Sequence, residues 1–279
     1  MHYKHLLVYL DNGASNPARV QLALSLAKAH DARLTGIVVN ELPSEGLLRN
    51  LGLGDGKSAI GQARAAANTV HEAFRSACAD AQVVCDTRLL ECKEGRAGEK
   101  LARIARLYDL CVVRQANPER PHAAQVSAMS EEVMLSSGRP VICVPYIGAH
   151  EVPFKTSVIA WDGSRAATRA VHDALPVLAQ IDHINILVVN PANFENFSDH
   201  APGDGLQSLL ATHGIDARVS RIDAGDISTS TVILNHLSDT GADILVMGGY
   251  GTPRLREILL GGVTHTLFKH MTVPVFLSH

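Results

Sequence analysis

The feature that most constrains how this chain can fold is an internal repeat. The stretches 5–40 and 157–190 share one pattern: an apolar strand ending in aspartate, small and polar residues, an amphipathic helix, and a strand that closes Val-Val-Asn. A second match lies near the end of each half, where 137–145 resembles 271–278. Because the two matches lie at different depths of the repeat, the sequence predicts two tandem copies of one unit.

Each copy alternates strands with helices, which is the pattern of a parallel sheet covered by helices on both faces. Apolar runs such as 184–189 and 244–247 are nearly continuous, as expected of strands buried on both faces. The segment 146–155 carries Gly, Pro and charged residues without periodicity, which indicates a linker. We therefore predict an α/β fold with two tandem five-stranded parallel-sheet units, over residues 1–147 and 152–279.

Strands are predicted near 5–10, 33–39, 84–91, 110–114 and 141–145, and again near 156–161, 183–189, 216–221, 243–247 and 273–277. Helices are predicted near 16–30, 58–80, 97–108 and 125–136, and again near 165–179, 203–212, 227–240 and 254–269. The long segment 41–57 is predicted to be a lid or an interaction loop.

Composition restricts the class of function. With a formal net charge of −3 and 4% aromatic residues, the chain has neither the positive field nor the stacking surface of a nucleic-acid-binding protein. The first apolar run ends at Asp11, too early for a membrane span, and it lacks the layout of a signal peptide. Five cysteines, an odd number confined to the first predicted unit, are typical of reduced thiols. We expect a cytoplasmic protein that binds neither nucleic acid nor membrane.

A run of glycines follows the fourth predicted strand of the second unit. The strand ends at Met247, three of the next four residues are glycine, and the pair Gly261-Gly262 interrupts the helix predicted from Arg254. Glycines let backbone N–H groups converge on an anion, and a helix N-terminus adds partial positive charge. Ligands of such sheets bind beyond the carboxyl ends of the strands, where Asp162 also falls. The same glycines could instead form only a tight strand-to-helix turn.

The spacing Gly248-x-x-Gly251, followed by Gly261, resembles the nucleotide-binding signature of the universal stress protein family. The segments 158–164 and 272–275 look like the same family. The resemblance extends over the whole chain as a tandem pair and is weak in the middle of the first unit. It implies an adenine nucleotide alpha hydrolase-like, Rossmann-like fold. It also implies a bound ATP or AMP in some members, with or without Mg, and no nucleotide in others.

By this resemblance, Asp162 would contact the adenosine half of the nucleotide and Val189 would pack near the base. Gly248, Gly251 and Gly261 would line the phosphates. The cofactor-binding residues that the resemblance implies are Ala160, Asp162, Val189, Met247, Gly248, Gly251, Gly261, Gly262, Val263 and Thr264.

Two departures from the family pattern bear on this site. ATP-binding members usually carry Ser or Thr where this chain has Gly262, and a lost hydrogen bond to a charged group lowers affinity by about ten- to a hundredfold. In the first unit, the segment 113–134 has no glycine at the matching positions, and Pro118 and Pro121 cannot donate an N–H. We expect that unit to have lost its site, which leaves one site per chain.

These features predict a stress-response regulatory protein that binds an adenine nucleotide in its second unit without strong catalysis. One alternative is an adaptor that has lost nucleotide binding. Another is a weak ATPase, for which the sequence offers no convincing general base or metal-binding carboxylate pair. No metal-binding motif of the Cys-x-x-Cys or His-Glu-x-x-His kind occurs. The family also forms dimers, so we expect an internal pseudo-dimer or a homo-oligomer, and a protein partner that the sequence does not identify.

Overall fold

The computed structural model describes residues 2–42, 57–148, 153–194, 201–249 and 262–279. The chain divides into two compact units between Arg139 and Pro140. The strand at 141–144, which the repeat assigns to the first unit, therefore belongs to the second compact unit. The repeat boundary in the 146–155 linker remains a prediction.

The N-terminal unit, residues 2–139, contains four parallel strands in the order β3-β2-β1-β4. Its strands are β1 (His5–Leu10), β2 (Arg33–Leu42), β3 (Cys85–Lys93) and β4 (Leu110–Arg114). Its helices are α1 (Asn16–His30), α2 (Lys57–Asp80), α3 (Ala97–Ala105) and α4 (Ala123–Ser136).

The C-terminal unit, residues 140–279, has the strand order β5-β10-β9-β6-β7-β8. Its strands are β5 (Val141–Val144), β6 (Thr156–Ala160), β7 (His183–Val189), β8 (Arg218–Ile222), β9 (Ile244–Gly248) and β10 (Val275–Ser278). Its helices are α5 (Arg165–Leu178), α6 (Asp204–Thr212), α7 (Thr229–Thr240) and α8 (Val263–His270), with a 3₁₀ turn at Pro191–Asn193.

The strand β5 differs from the predicted all-parallel arrangement, because it runs antiparallel to β10. The other five strands of this unit are parallel, as the repeat predicts. An antiparallel pair needs no crossover helix between its two strands. The last strand of the first repeat, β5, can therefore pair with β10.

Apolar strands place the core of each unit in its sheet. All residues from Leu6 to Leu10 in β1 are buried, and so are Ile244 to Met247 in β9, as strands covered on both faces require. The first strand of each repeat lies between the second and the fourth. The carboxyl ends of β6 and β9 thus flank the point where the strand order reverses, which is where open α/β sheets bind ligands.

The predicted elements that fall on described residues are present, with ends shifted by a few residues. The helix predicted from Arg254 is described only from Val263, after the glycine pair, and its earlier part lies outside the described residues. Of the predicted loop 41–57, β2 takes the first two residues and α2 begins at the last, while 43–56 lie outside the described residues. No described helix combines the length and the apolar character that crossing a bilayer requires.

Candidate functional site

A cavity of about 310 Å³ lies at the carboxyl ends of β6, β7 and β9 in the C-terminal unit. Eight of the residues predicted to bind a cofactor line it: Ala160, Asp162, Val189, Met247, Gly248, Gly262, Val263 and Thr264. The other two, Gly251 and Gly261, lie outside the described residues. The structure thus brings together positions from four separate segments of the chain around one cavity.

Five further residues line the cavity, and the site prediction did not include them: Trp161, Ser164, Leu187, Thr229 and Ile233. The only tryptophan of the chain adjoins Asp162, which is a signal that the sequence did offer. Thr229 and Ile233 lie one turn apart at the start of α7. The repeat predicted this helix, but nothing in the sequence indicated that its first residues line the site.

Three helices begin at this cavity. Ser164 caps α5, as its hydroxyl accepts a hydrogen bond from the Ala167 N–H at 3.1 Å. The hydroxyl of Ser228 caps α7 in the same way, at 3.2 Å from the Thr231 nitrogen. Gly262 holds the N-cap position of α8 without a side chain. Three positive helix ends, one of them without a side-chain cap, favour an anionic group in the cavity.

Close approach of two backbones explains the glycine at the end of β9. A Cβ atom on Gly248 would lie 2.4 Å from the Ala167 nitrogen and 2.6 Å from the Ala166 carbonyl carbon. Both distances are too short for any side chain. Glycine at this position therefore allows the first turn of α5 to pack directly against the end of β9, at the edge of the cavity.

Asp162 is exposed at the mouth of the cavity. Its Oδ1 accepts a hydrogen bond from the Ser164 N–H at 2.9 Å, across a turn in which Gly163 has a φ of +71°. Asp162 forms no ion pair with any described residue, so its second carboxylate oxygen is open to a ligand donor such as a hydroxyl group.

The corresponding position of the N-terminal unit follows from the sheet register. Counted from the matching aspartates Asp11 and Asp162, the first strand of each unit pairs with the fourth at the same offset. This register places Arg114 where the C-terminal unit has Gly248. The C-terminal unit requires glycine here because two backbones lie close together. The N-terminal unit has a long cationic side chain at the same position.

Arg19 and Arg114 both pair with Asp11, and these three residues are called the Asp11 cluster below. The Oδ2 atom of Asp11 lies 3.0 Å from Arg19 Nη2 and 2.8 Å from Arg114 Nη1, and its Oδ1 accepts from the Gly13 N–H at 2.7 Å. Arg19 is fully buried and also donates to the Tyr9 carbonyl at 2.7 Å. Burial alone would raise the pKa of Asp11, but the two guanidinium groups outweigh it and hold that pKa below its usual value.

The start of the following helix makes room for Arg114. The helix α1 begins five residues after its aspartate, whereas α5 begins three residues after the matching one. The helix α1 thus starts about half a turn later, at the place where the first turn of α5 leaves no room for a side chain on Gly248. Arg19, eight residues after Asp11, stands where the C-terminal unit has Ala170. The N-terminal unit therefore differs from the C-terminal unit in three related ways at this place: two arginines and a later helix start.

The N-terminal unit has a cavity of its own, of about 580 Å³. Four of its lining residues, Tyr9, Val39, Ala128 and Met129, hold the positions of Ala160, Val189, Gly262 and Val263 in the other cavity. The two cavities are therefore the same place in the repeat, lined by different chemistry. Neither here nor elsewhere among the described residues do three His, Cys, Asp or Glu side chains form a group that could hold a metal ion.

Comparison with known proteins identifies relatives of the chain. Residues 153–279 match the model of the universal stress protein family. Universal stress protein MJ0577 of Methanocaldococcus jannaschii is 42% identical over 45 residues, which cover 16% of this chain and 28% of that relative. The chain thus spans under a third of the length of this curated relative.

Two solved structures align over nearly the whole chain. A universal stress protein from Archaeoglobus fulgidus has a TM-score of 0.74 at 17% identity, covering 98% of this chain and 95% of its own. The protein PA1789 of Pseudomonas aeruginosa, titled as functionally unknown, has a TM-score of 0.62 at 10% identity, covering 99% and 92%. At these identities the likeness shows a common fold, the Rossmann-like fold that the sequence predicts.

Proposed function

Since residues 153–279 make this chain a member of the universal stress protein family, we propose that its C-terminal unit binds an adenine nucleotide, ATP or AMP, and acts in regulation without strong catalysis. The adenosine half lies against Asp162 and Val189, and the phosphates lie toward Gly248 and Gly262. The observation that carries this proposal is the convergence of eight predicted positions on one cavity at three helix N-termini.

The size and the two kinds of wall fit such a ligand. A volume of about 310 Å³ is at the lower end of the range for small-molecule sites. Leu187, Ile233 and Met247 are buried and give one apolar wall suited to an aromatic base. The lining also includes the N-cap of α8, whose partial positive charge suits phosphate.

The N-terminal unit is proposed not to bind nucleotide, for two reasons. The Asp11 carboxylate that would meet the ribose is already held by two arginines of its own unit. The N-terminal cavity is also lined by Glu41, Glu99 and Glu132. Glu99 is paired with Arg96 and Arg103, but Glu41 and Glu132 form no ion pair with a described residue. Like charges repel, so these two carboxylates oppose the negative phosphates of a nucleotide. One nucleotide per chain is therefore expected.

Weak ATP hydrolysis has little support from the described lining. Asp162 is its one carboxylate, and it carries no histidine or lysine, so there is no pair of acidic residues for Mg and no evident general base. Any Mg would arrive with the phosphates of ATP.

A pure adaptor is favoured by one observation, the absence of a hydroxyl group at Gly262. We also propose that the protein acts in the stress response and is located in the cytoplasm. It would form a homo-oligomer or an internal pseudo-dimer and bind a protein partner.

Calorimetric titration of nucleotide-stripped protein with Mg-ATP, repeated with AMP, tests the proposal. Both nucleotides should bind, and Asp162→Ala should weaken binding while leaving the fold intact. Asp182→Ala, an exposed aspartate at the amino end of β7, is the matched control and should leave binding unchanged. No binding heat and no thermal shift with either nucleotide would favour the adaptor instead.

A further inference from the structure

A row of contacts joins α2 to β3 in the N-terminal unit. Arg64 forms two hydrogen bonds of 2.8 Å with the Glu91 carboxylate, and Arg75 donates to the Thr87 hydroxyl at 2.6 Å. Between them, the His71 ring contacts the Arg88 carbonyl at 3.1 Å. The contacts advance along α2 as they go back along β3, so the helix and the strand run antiparallel with one fixed face of α2 on the strand.

The next positions along this row, on α2 and on β3, are both cysteines. Cys78 follows Arg75 by three residues on the same face of α2, and Cys85 precedes Thr87 by two residues on the same face of β3. The register of these contacts therefore places the two thiols side by side, between α2 and β3. The chain between them is a tight turn, in which the Val83 N–H donates to the Cys78 carbonyl at 2.9 Å.

We propose that Cys78 and Cys85 form a reversible disulfide when the protein meets a hydroperoxide, which makes this pair an oxidation site of the N-terminal unit. The proposal stands apart from nucleotide binding, because neither cysteine lies in the C-terminal unit. No cysteine of the chain is in a disulfide in this structure, so it represents the reduced state.

The two cysteines differ in solvent exposure and therefore have different roles in the proposed oxidation. Cys85 is half-buried on β3, an edge strand of this unit, between the exposed residues Val84 and Asp86. Cys78 is only 1% exposed. Burial, together with the neighbouring Cys85 thiol, raises the pKa of the Cys78 thiol, so this sulfur stays protonated until Cys85 has been oxidised.

The chemistry proceeds in two balanced steps. Cys85 gives its thiol proton to solvent, and the thiolate attacks one oxygen of the hydroperoxide and breaks the O–O bond, which gives a sulfenic acid. The hydroxide or alkoxide that leaves takes up a proton from solvent and departs as water or an alcohol. Cys78 then attacks the Cys85 sulfur, the S–S bond forms, and hydroxide leaves with the proton of the Cys78 thiol as water. Two thiols lose two electrons and the peroxide gains them. A thiol reductant reverses the reaction by thiol–disulfide exchange.

Thiol counting by mass spectrometry on the full chain tests this proposal. Reduced protein is treated with an equivalent of hydrogen peroxide, quenched with catalase and alkylated under denaturing conditions. Alkylatable thiols should fall from five to three. The tryptic peptide 76–88 holds both cysteines, so it should appear unalkylated and about 2 Da lighter than its reduced form. Dithiothreitol should restore both thiols.

Variants separate this pair from general oxidation. In Cys78→Ser, Cys85 should stop at the sulfenic acid and react with dimedone, which labels little of the wild-type protein. Cys92 lies seven residues from Cys85 on the same strand and so on its other face, and Cys92→Ser should still lose two thiols. A peptide 76–88 that stays reduced while Cys92 oxidises would overturn the proposal, as would a disulfide that links two chains.

Discussion

The Nη1 atom of Arg114 lies 2.8 Å from Oδ2 of Asp11, and these two residues hold the positions that Gly248 and Asp162 hold in the C-terminal unit. The same aspartate therefore has two roles in one chain. In the N-terminal unit its carboxylate is paired with arginines of the same unit, and in the C-terminal unit it is exposed at the mouth of a cavity. The two units share a fold but differ in what this aspartate contacts.

The Asp11 cluster should stabilise the N-terminal unit. Arg19→Met removes a fully buried partner of Asp11 and the hydrogen bond to the Tyr9 carbonyl, and breaking a buried pair costs about 3 kcal/mol. Urea unfolding should show a loss of that size. Arg169→Met is the control, because Arg169 pairs with Asp173 at 3.6 Å on an exposed helix face. The control should change stability by less than about 0.5 kcal/mol. Equal losses in both variants would contradict a special role for the cluster.

His30 should make the stability of the protein depend on pH. Its ring is 2% exposed, neither ring nitrogen has a hydrogen-bond partner among the described residues, and burial lowers its pKa to about 4. An unfolded histidine takes up its proton near pH 6.5, so between these values the unfolded state binds more protons than the folded state. The free energy of unfolding should therefore fall as pH drops from about 6.5 toward 4, by roughly 2 kcal/mol at pH 5.

Urea unfolding at pH 7 and pH 5 checks this prediction. His30→Leu should remove that part of the pH dependence, and it should also relieve the cost of a buried ring without partners. His213→Leu, at an exposed position, should retain the wild-type dependence. A His30→Leu variant with the same loss at pH 5 as the wild type would show that His30 is not the group responsible.

Gly262→Ser should strengthen ATP binding. No described atom lies within 4 Å of a Cβ placed on Gly262, and its φ of −107° suits any residue. A hydroxyl that donates to phosphate adds about 1.5 kcal/mol or more, which corresponds to roughly a tenfold lower Kd in titration. Gly262→Ala adds the Cβ without the donor and should leave the Kd near its wild-type value. Equal affinities of the two variants would place the phosphates elsewhere.

Gly248→Ala should disturb both the fold and the site. Its Cβ would lie 2.4 Å from the Ala167 nitrogen, so α5 must shift, and overpacking of this kind costs about 1–3 kcal/mol. Thermal unfolding and ATP titration should both show a loss. Gly205→Ala is the control, because no described atom lies within 4 Å of its Cβ in helix α6. A Gly248→Ala variant as stable as this control would mean that the close approach has been overstated.

Local patterns in the sequence predict much of this molecule. Apolar runs located the strands, and the aspartate and glycines after them located the cavity. The loss of the glycine loop in the N-terminal unit was also readable from the sequence, but the ion pair of Asp11 with Arg114 was not, because Arg114 lies 103 residues from Asp11 and meets it only when β1 and β4 pair. The choice of β10 as the partner of β5 is likewise a long-range pairing, which no local pattern specifies.

The number of nucleotides bound per chain tests the central claim most directly. Native mass spectrometry of the nucleotide-stripped chain with excess ATP should show one nucleotide per chain, which Asp162→Ala removes and Asp11→Asn does not. Two nucleotides per chain, or a single one that survives Asp162→Ala and is lost in Asp11→Asn, would contradict a C-terminal site with a free aspartate and an N-terminal unit whose aspartate is held by its own arginines.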